Sequence, residues 1–194
     1  MDEDTFKNQE KRLLYVLLEP NGKGHTVNSI VGEDLQKLFK EDWKPVTFFG
    51  KNLTFWTGAI FDGITEKSES VNYSAQDQVR RVAIMNLKKR AGHGSRDTEA
   101  ISVHAWRDRE FIQKELQIIN PDIVVTCSKA ANRLFYWIVK ADPFSEPPSD
   151  SIWQHDQFHV LPMNHPSAWS GQANTQDRLV QHIRDYKSLV AGLK

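Results

Sequence analysis

The chain has 194 residues, 39% hydrophobic and 26% charged, with Lys+Arg and Asp+Glu balanced at 25 each. This is an ordinary soluble globular composition, expected to fold as a single domain over 1–194, and the balance excludes a global positive field for nucleic acid. The lone Cys127 excludes intrachain disulfides and any Cys-based metal or iron–sulfur cage, so no metal or cofactor is expected.

The charged lead MDEDTFKNQEKR has no signal-peptide apolar run behind it, and no segment approaches a membrane span. The expected location is therefore a reducing cytoplasm, with no membrane partner. Leu13 to Leu18 is a continuous apolar run, the pattern of a strand buried on both faces. It breaks at Glu19-Pro20-Asn21-Gly22-Lys23-Gly24, a run of turn residues. Glu33 to Lys40 reads as a helix with Leu35, Leu38 and Phe39 on one side. Asp42 to Tyr73, rich in aromatics and glycine, predicts irregular structure or short helices.

Val79 to Leu87 predicts a second strand ending near Asn86, followed by a Gly/Ser/Arg loop over Ala91–Asp97. Lys88-Lys89-Arg90, with His93 and Arg96, is the one concentrated basic patch; taken alone, such a run is a solvated surface loop. Ile101, Ala105, Ile112, Leu116 and Ile119 keep one face apolar, predicting a helix over Thr98–Ile119 that Asn120-Pro121 stops. A third strand follows at Asp122–Cys127, a helix at Ser128–Ile138, and a Pro/Ser-rich connection at Pro143–Asp150. Gln157–Met163 predicts the fourth strand. Asn174 and Thr175 are placed to cap a final helix with the stripe Leu179, Ile183, Tyr186, Val190 and Leu193.

Apolar strands alternating with helices predict an α/β fold: a three-layer α/β/α sandwich around a four-stranded, mainly parallel sheet. In such sheets ligands bind beyond the carboxyl ends of the strands. Three polar clusters follow strand ends, Glu19 to Gly22, Asn86 to Lys89, and Asn164-His165-Pro166-Ser167. Their convergence on one edge says more than any of them singly. Gly22-Lys23-Gly24-His25-Thr26 lacks the Gly-Lys-Ser/Thr spacing of a triphosphate-binding loop, which excludes that reading.

Over Leu13–Gln172 the order VAIMNLKKRAG, long helix, INPDIVVTCSKAANRLF and VLPMNHPSA resembles the uracil-DNA glycosylase superfamily. Motif order is most similar to the branch that usually carries an iron–sulfur cluster, which the single cysteine excludes here. The resemblance implies a pocket receiving a base flipped from the DNA stack. It implies that Asn86 reads the base edge through a donor and an acceptor, and that His165 hydrogen-bonds the oxygen of the departing base. Ser167 would contact a phosphate, with Gly22, Lys88, Lys89 and Arg90 on the DNA-facing rim, and Trp169 would fill the gap the base leaves. Outside that setting, Asn86 is a strand-end cap, His165 a packed turn residue and Trp169 a loop anchor.

The family's first loop holds an acid or amide that positions the attacking water, which would be Glu19 or Asn21. Leu18-Glu19-Pro20-Asn21-Gly22 departs from the family order, and this leaves the water-positioning group open. The family also stacks the base on an aromatic; Phe48, Phe49, Phe55 and Trp56 are available, and flanking glycines favour Phe55 and Trp56. The expectation is a monomeric, monofunctional glycosylase acting on single- or double-stranded DNA, with no lysine nominated for a Schiff base. A non-catalytic DNA-binding member, and an unrelated small-molecule-binding doubly wound domain, are the other classes the residues allow.

Overall fold

The computed structural model describes residues 3–18, 48–64, 74–89, 98–148, 150–166 and 172–191. In chain order these form α1 (Glu3–Lys7), β1 (Leu13–Leu17), α2 (Phe48–Ile64), α3 (Ala75–Arg80), β2 (Val82–Asn86), α4 (Thr98–Arg107), α5 (Arg109–Ile119), β3 (Ile123–Cys127), α6 (Lys129–Lys140), β4 (Trp153–His155), β5 (Phe158–Met163) and α7 (Gln172–Ala191). The strands make one sheet in the order β2-β1-β3-β5-β4. All neighbours are parallel except β4, which pairs antiparallel with β5.

Side chains alternate across a strand, so each strand feeds two cores. On one face Leu14, Val16, Ala83, Met85, Val124 and Val160 pack under α4, α5 and α6 through Ile101, Ala105, Ile112, Phe135 and Ile138. On the other, Leu13, Tyr15, Ile123, Val125, Leu161 and Met163 pack under α2 and α7 through Leu53, Trp56, Ile60, Leu179 and Tyr186. The result is a three-layer α/β/α arrangement, with β3 and β5 buried along their whole length as strands covered on both faces should be.

The sheet has five strands rather than the expected four. The addition is β4, whose three residues form a hairpin with the start of β5. Its ring Trp153 packs edge-on to Tyr136, with centroids 4.9 Å apart. The stretch expected to hold irregular structure or short helices contains the 17-residue helix α2, longer than expected. Its buried positions Leu53, Trp56, Thr57, Ile60, Phe61 and Ile64 fall three and four residues apart, which is a helical stripe.

The second strand starts at Val82, because Ser74 and Asp77 make a capping box that folds Ala75–Arg80 into a helix first. The long helix expected over Thr98–Ile119 is interrupted at Asp108. There the Arg107 guanidinium binds the carboxylate of its immediate neighbour Asp108 (2.9 Å), a pair that a regular helix splays apart. Asn120, left-handed at φ 46°, ends α5 ahead of Pro121 as expected. The helix expected over Glu33–Lys40 lies outside the described residues. Among those described, no helix is long and apolar enough to cross a membrane.

Candidate functional site

Four parallel strands point their carboxyl ends at one edge of the sheet. The chain leaves β1 toward β2 on one side and returns past it to β3 on the other, so the direction of winding reverses between β1 and β3. Such a reversal opens the crevice in which open α/β sheets bind ligands. Registers Leu17↔Asn86 and Cys127↔Met163 align the ends, and the Leu87 and Lys88 amides bond the Leu17 and Leu18 carbonyls just beyond. Asn86 and the segment Asn164–Pro166 therefore emerge on the same edge, with two strands between them. At about 4.8 Å per strand this is on the order of 14 Å of sheet between the two backbones, which the side chains narrow from either side.

Asn86 closes β2. Counting back by twos, it shares a face with Ile84 and Val82, which pack on the α2 side. Its Oδ1 is buried and accepts no hydrogen bond from the described residues. Left unpaired, a buried acceptor costs about 1–3 kcal/mol, which a donor reaching this edge would relieve.

His165 follows β5 by two residues and is partly buried. Burial holds its imidazole below the ordinary histidine range, which keeps it neutral at pH 7. The first turn of α2 packs against it: the Phe49 ring lies 6.0 Å from the His165 ring, tilted by 47°. One turn on, Asn52 Nδ2 donates to the Pro166 carbonyl at 2.6 Å and fixes the His-Pro turn to the helix. Because α2 runs back from the carboxyl edge toward the start of β2, its N-terminus and partial positive charge sit at this edge. So does that of α6, which begins directly after β3, where Ser128 Oγ accepts from the Ala131 amide at 3.0 Å.

The structure thus assembles Asn86, His165, Phe49 and Asn52 along one edge. It separates the two aromatics favoured for stacking. Trp56 is 1% exposed and belongs to the core, while Phe55 is 51% exposed. Phe55 and Trp56 lie about 9 Å and 10 Å farther along α2 than Phe49 at 1.5 Å per residue, so among the candidate aromatics with described side chains Phe49 is the one at this edge. Lys89 turns toward α5, where it pairs with Glu115 and lies 5.9 Å from the Phe111 ring. A phosphate would have to compete with that carboxylate. Glu19, Asn21, Gly22, Arg90, Ser167 and Trp169 lie outside the described residues. Among the described residues no group of His, Cys, Asp and Glu is arranged to hold a metal ion.

Sequence reasoning did not single out Asn52 as part of the site. The only signal would have been its place one turn after Phe49 on a helix not expected there. The geometry defines a class, an open α/β sheet with polar residues gathered at its carboxyl edge. Beyond that class, no protein-family model matches the chain, and a search of curated proteins finds no match.

Proposed function

We propose that this chain is a DNA glycosylase of the uracil-DNA glycosylase kind, acting as a monomer in the cytoplasm on a base flipped out of DNA. The observation that carries the reading is the buried Oδ1 of Asn86, without a partner among the described residues, on the same edge as a neutral His165. Asn86 Oδ1 accepts from a ring N–H of the base. His165 donates to the base oxygen on which negative charge grows as the glycosidic bond breaks, and Phe49 offers a ring face at its side. An uncharged donor in a partly dry site stabilises that charge more than water does. Glu19 or Asn21 positions the water, giving an abasic product without strand cleavage.

Oligonucleotides bearing uracil, hypoxanthine, hydroxymethyluracil or glucosylated hydroxymethylcytosine, single- or double-stranded, are incubated with enzyme and then treated with alkali. Cleavage of at least one is expected, reduced about 10²–10³-fold in Asn86→Ala and in His165→Ala. Intact DNA for all four would overturn the reading for these substrates. The departure of Leu18-Glu19-Pro20-Asn21-Gly22 from the family order favours one second reading, a member that binds a base without excising it. Salt-dependent DNA binding with no product, weakened in Lys88→Ala and Trp169→Ala, would select it.

A further inference from the structure

A second cavity lies at the same edge, on the outer side of β5. There β4 pairs only with the first half of β5, from His155↔Phe158 to Trp153↔Val160. Past that point a cavity of about 180 Å³ opens, with Pro162 and Met163 as its apolar floor and Lys129, Asn132, Arg133 and Arg178 among its walls.

Asn132 is 5% exposed, and its orientation is fixed. Its Oδ1 receives hydrogen bonds from Thr126 Oγ1 at 3.2 Å and from Trp153 Nε1 at 3.0 Å. An indole N–H only donates, whereas the Thr126 hydroxyl can also accept, so turning the amide round would oppose the Trp153 donor. That leaves Nδ2 as the end available to the cavity, and it donates no hydrogen bond to the described residues.

Three cations stand around this donor, and two carboxylates hold them. Asp150 lies 3.8 Å from Lys129 Nζ and 3.1 Å from Arg178 Nη1, and Glu146 lies 3.3 Å from Arg133 Nη2. Lys129 and Glu146 are 82% and 71% exposed. Open ion pairs such as Lys129–Asp150 and Arg133–Glu146 contribute about 0–1 kcal/mol, so an incoming anion displaces their carboxylates at little cost, while Arg178, 27% exposed, is held more closely by Asp150. The cations also outnumber the carboxylates.

The geometry points to a second binding site, for a phosphate group, in the cavity between the start of α6 and α7. A rigid buried amide donor ringed by movable guanidinium and ammonium groups is the chemistry that recognises a phosphate oxyanion. The volume falls below the range that holds a whole drug-sized ligand, and suits a phosphate with part of its sugar. Met163 ends β5 and His165 follows two residues later, so the two sites flank one strand end within about 7 Å of chain. A nucleic-acid phosphodiester beside the flipped nucleotide reaches it. That choice of source rests on the glycosylase reading, whereas the phosphate chemistry does not.

The test is a 1H–15N NMR titration of the whole chain with inorganic phosphate, a deoxynucleoside 5′-monophosphate and a short single-stranded oligonucleotide. Shifts are expected at the Asn132 side-chain amide and the Arg133 and Arg178 guanidinium groups. Asn132→Asp keeps an acceptor for Trp153 and Thr126 but replaces the donor with a carboxylate. It should weaken binding about tenfold or more, with Arg178→Gln weaker and Glu146→Gln tighter than wild type. A response to the oligonucleotide alone identifies a phosphodiester, and a response to the monophosphate or to inorganic phosphate identifies a free phosphate. Asn86→Ala, which disables the base site, should leave these shifts intact, so failure of the glycosylase reading is distinguishable. Absence of shifts at these groups with all three probes, or equal affinities in folded wild type, Asn132→Asp and Glu146→Gln, would overturn the proposal.

Discussion

One carboxylate ties together the entrances of two central strands. Asp122 Oδ2 accepts from the Arg12 amide at 2.8 Å and from Arg12 Nε at 3.0 Å, while the Asp122 amide returns a bond to the Arg12 carbonyl at 2.9 Å. Arg12 precedes β1 and Asp122 precedes β3, so the pair sets where the two strands begin to run side by side. Both side chains are about a quarter exposed, and charge-assisted bonds of this kind are stronger than neutral ones. Asp122→Ala should therefore lose about 1–3 kcal/mol in urea denaturation, and Asp122→Asn less, because the amide oxygen still accepts. At this scale Asn86 and His165 were legible in the sequence, since polar residues closing apolar strands in a parallel sheet meet at one edge. Phe49 could not be distinguished from Phe55 and Trp56. That choice depends on which turn of α2 docks on the His-Pro loop, and docking is a long-range contact with no local signature.

Between elements, α2 and α7 cross closely at Gly63. A Cβ added at Gly63 would lie 2.6 Å from Ile183 Cγ2 and 3.2 Å from Ile183 Cδ1. The nearer atom is a methyl on a β-branched carbon, which cannot swing aside as the end of a long side chain does. Gly63→Ala gains about 1 kcal/mol of helix propensity, but overpacking of this kind costs about 1–3 kcal/mol, so a net loss of stability is expected. Ile183→Ala in the same chain should recover the propensity gain. A double-mutant cycle by chemical denaturation that shows no coupling between the two positions would exclude this contact as the cause. The same glycines obscured α2 in the sequence: the stripe from Leu53 to Ile64 is helical, but Gly50, Gly58 and Gly63 read as breaks. Here Gly63 serves close packing against Ile183, whereas a Cβ at Gly58 would meet Gln78 only at ordinary contact distance. The central strands were legible because burial on both faces demands unbroken apolar runs. β4 was not, because three residues are too few to show alternation.

Across the whole molecule, His155, His159, His165 and His182 are each held below the ordinary histidine value of 6.5, in every case chiefly by burial. For each, the unfolded chain takes up a proton at a higher pH than the folded chain. The stability they contribute is complete above about pH 6.5, and it is lost as pH falls through the depressed folded values. Melting temperature should thus hold steady from pH 8 to 7 and fall progressively toward pH 5. His182, 2% exposed with its Nε2 2.9 Å from the Pro162 carbonyl, should be a main contributor. Glutamine there can still donate to that carbonyl but does not titrate, so His182→Gln should flatten the acid limb. An unchanged slope would show that the remaining histidines or the carboxylates control it.

That same carbonyl has a consequence for how the molecules keep apart from one another. In a strand the N–H and C=O of one residue point to the same side. Pro162 turns its carbonyl outward to α7, so the N–H that proline lacks would also have faced outward. The inner ladder to β3 loses no donor, while the outer rim of β5 past the end of β4 offers neither a donor nor a free acceptor at this position. A strand from another molecule finds nothing to pair with there. A prolyl ring and a buried histidine thus blunt this stretch of the β5 rim against edge-to-edge pairing without adding a strand to cover it.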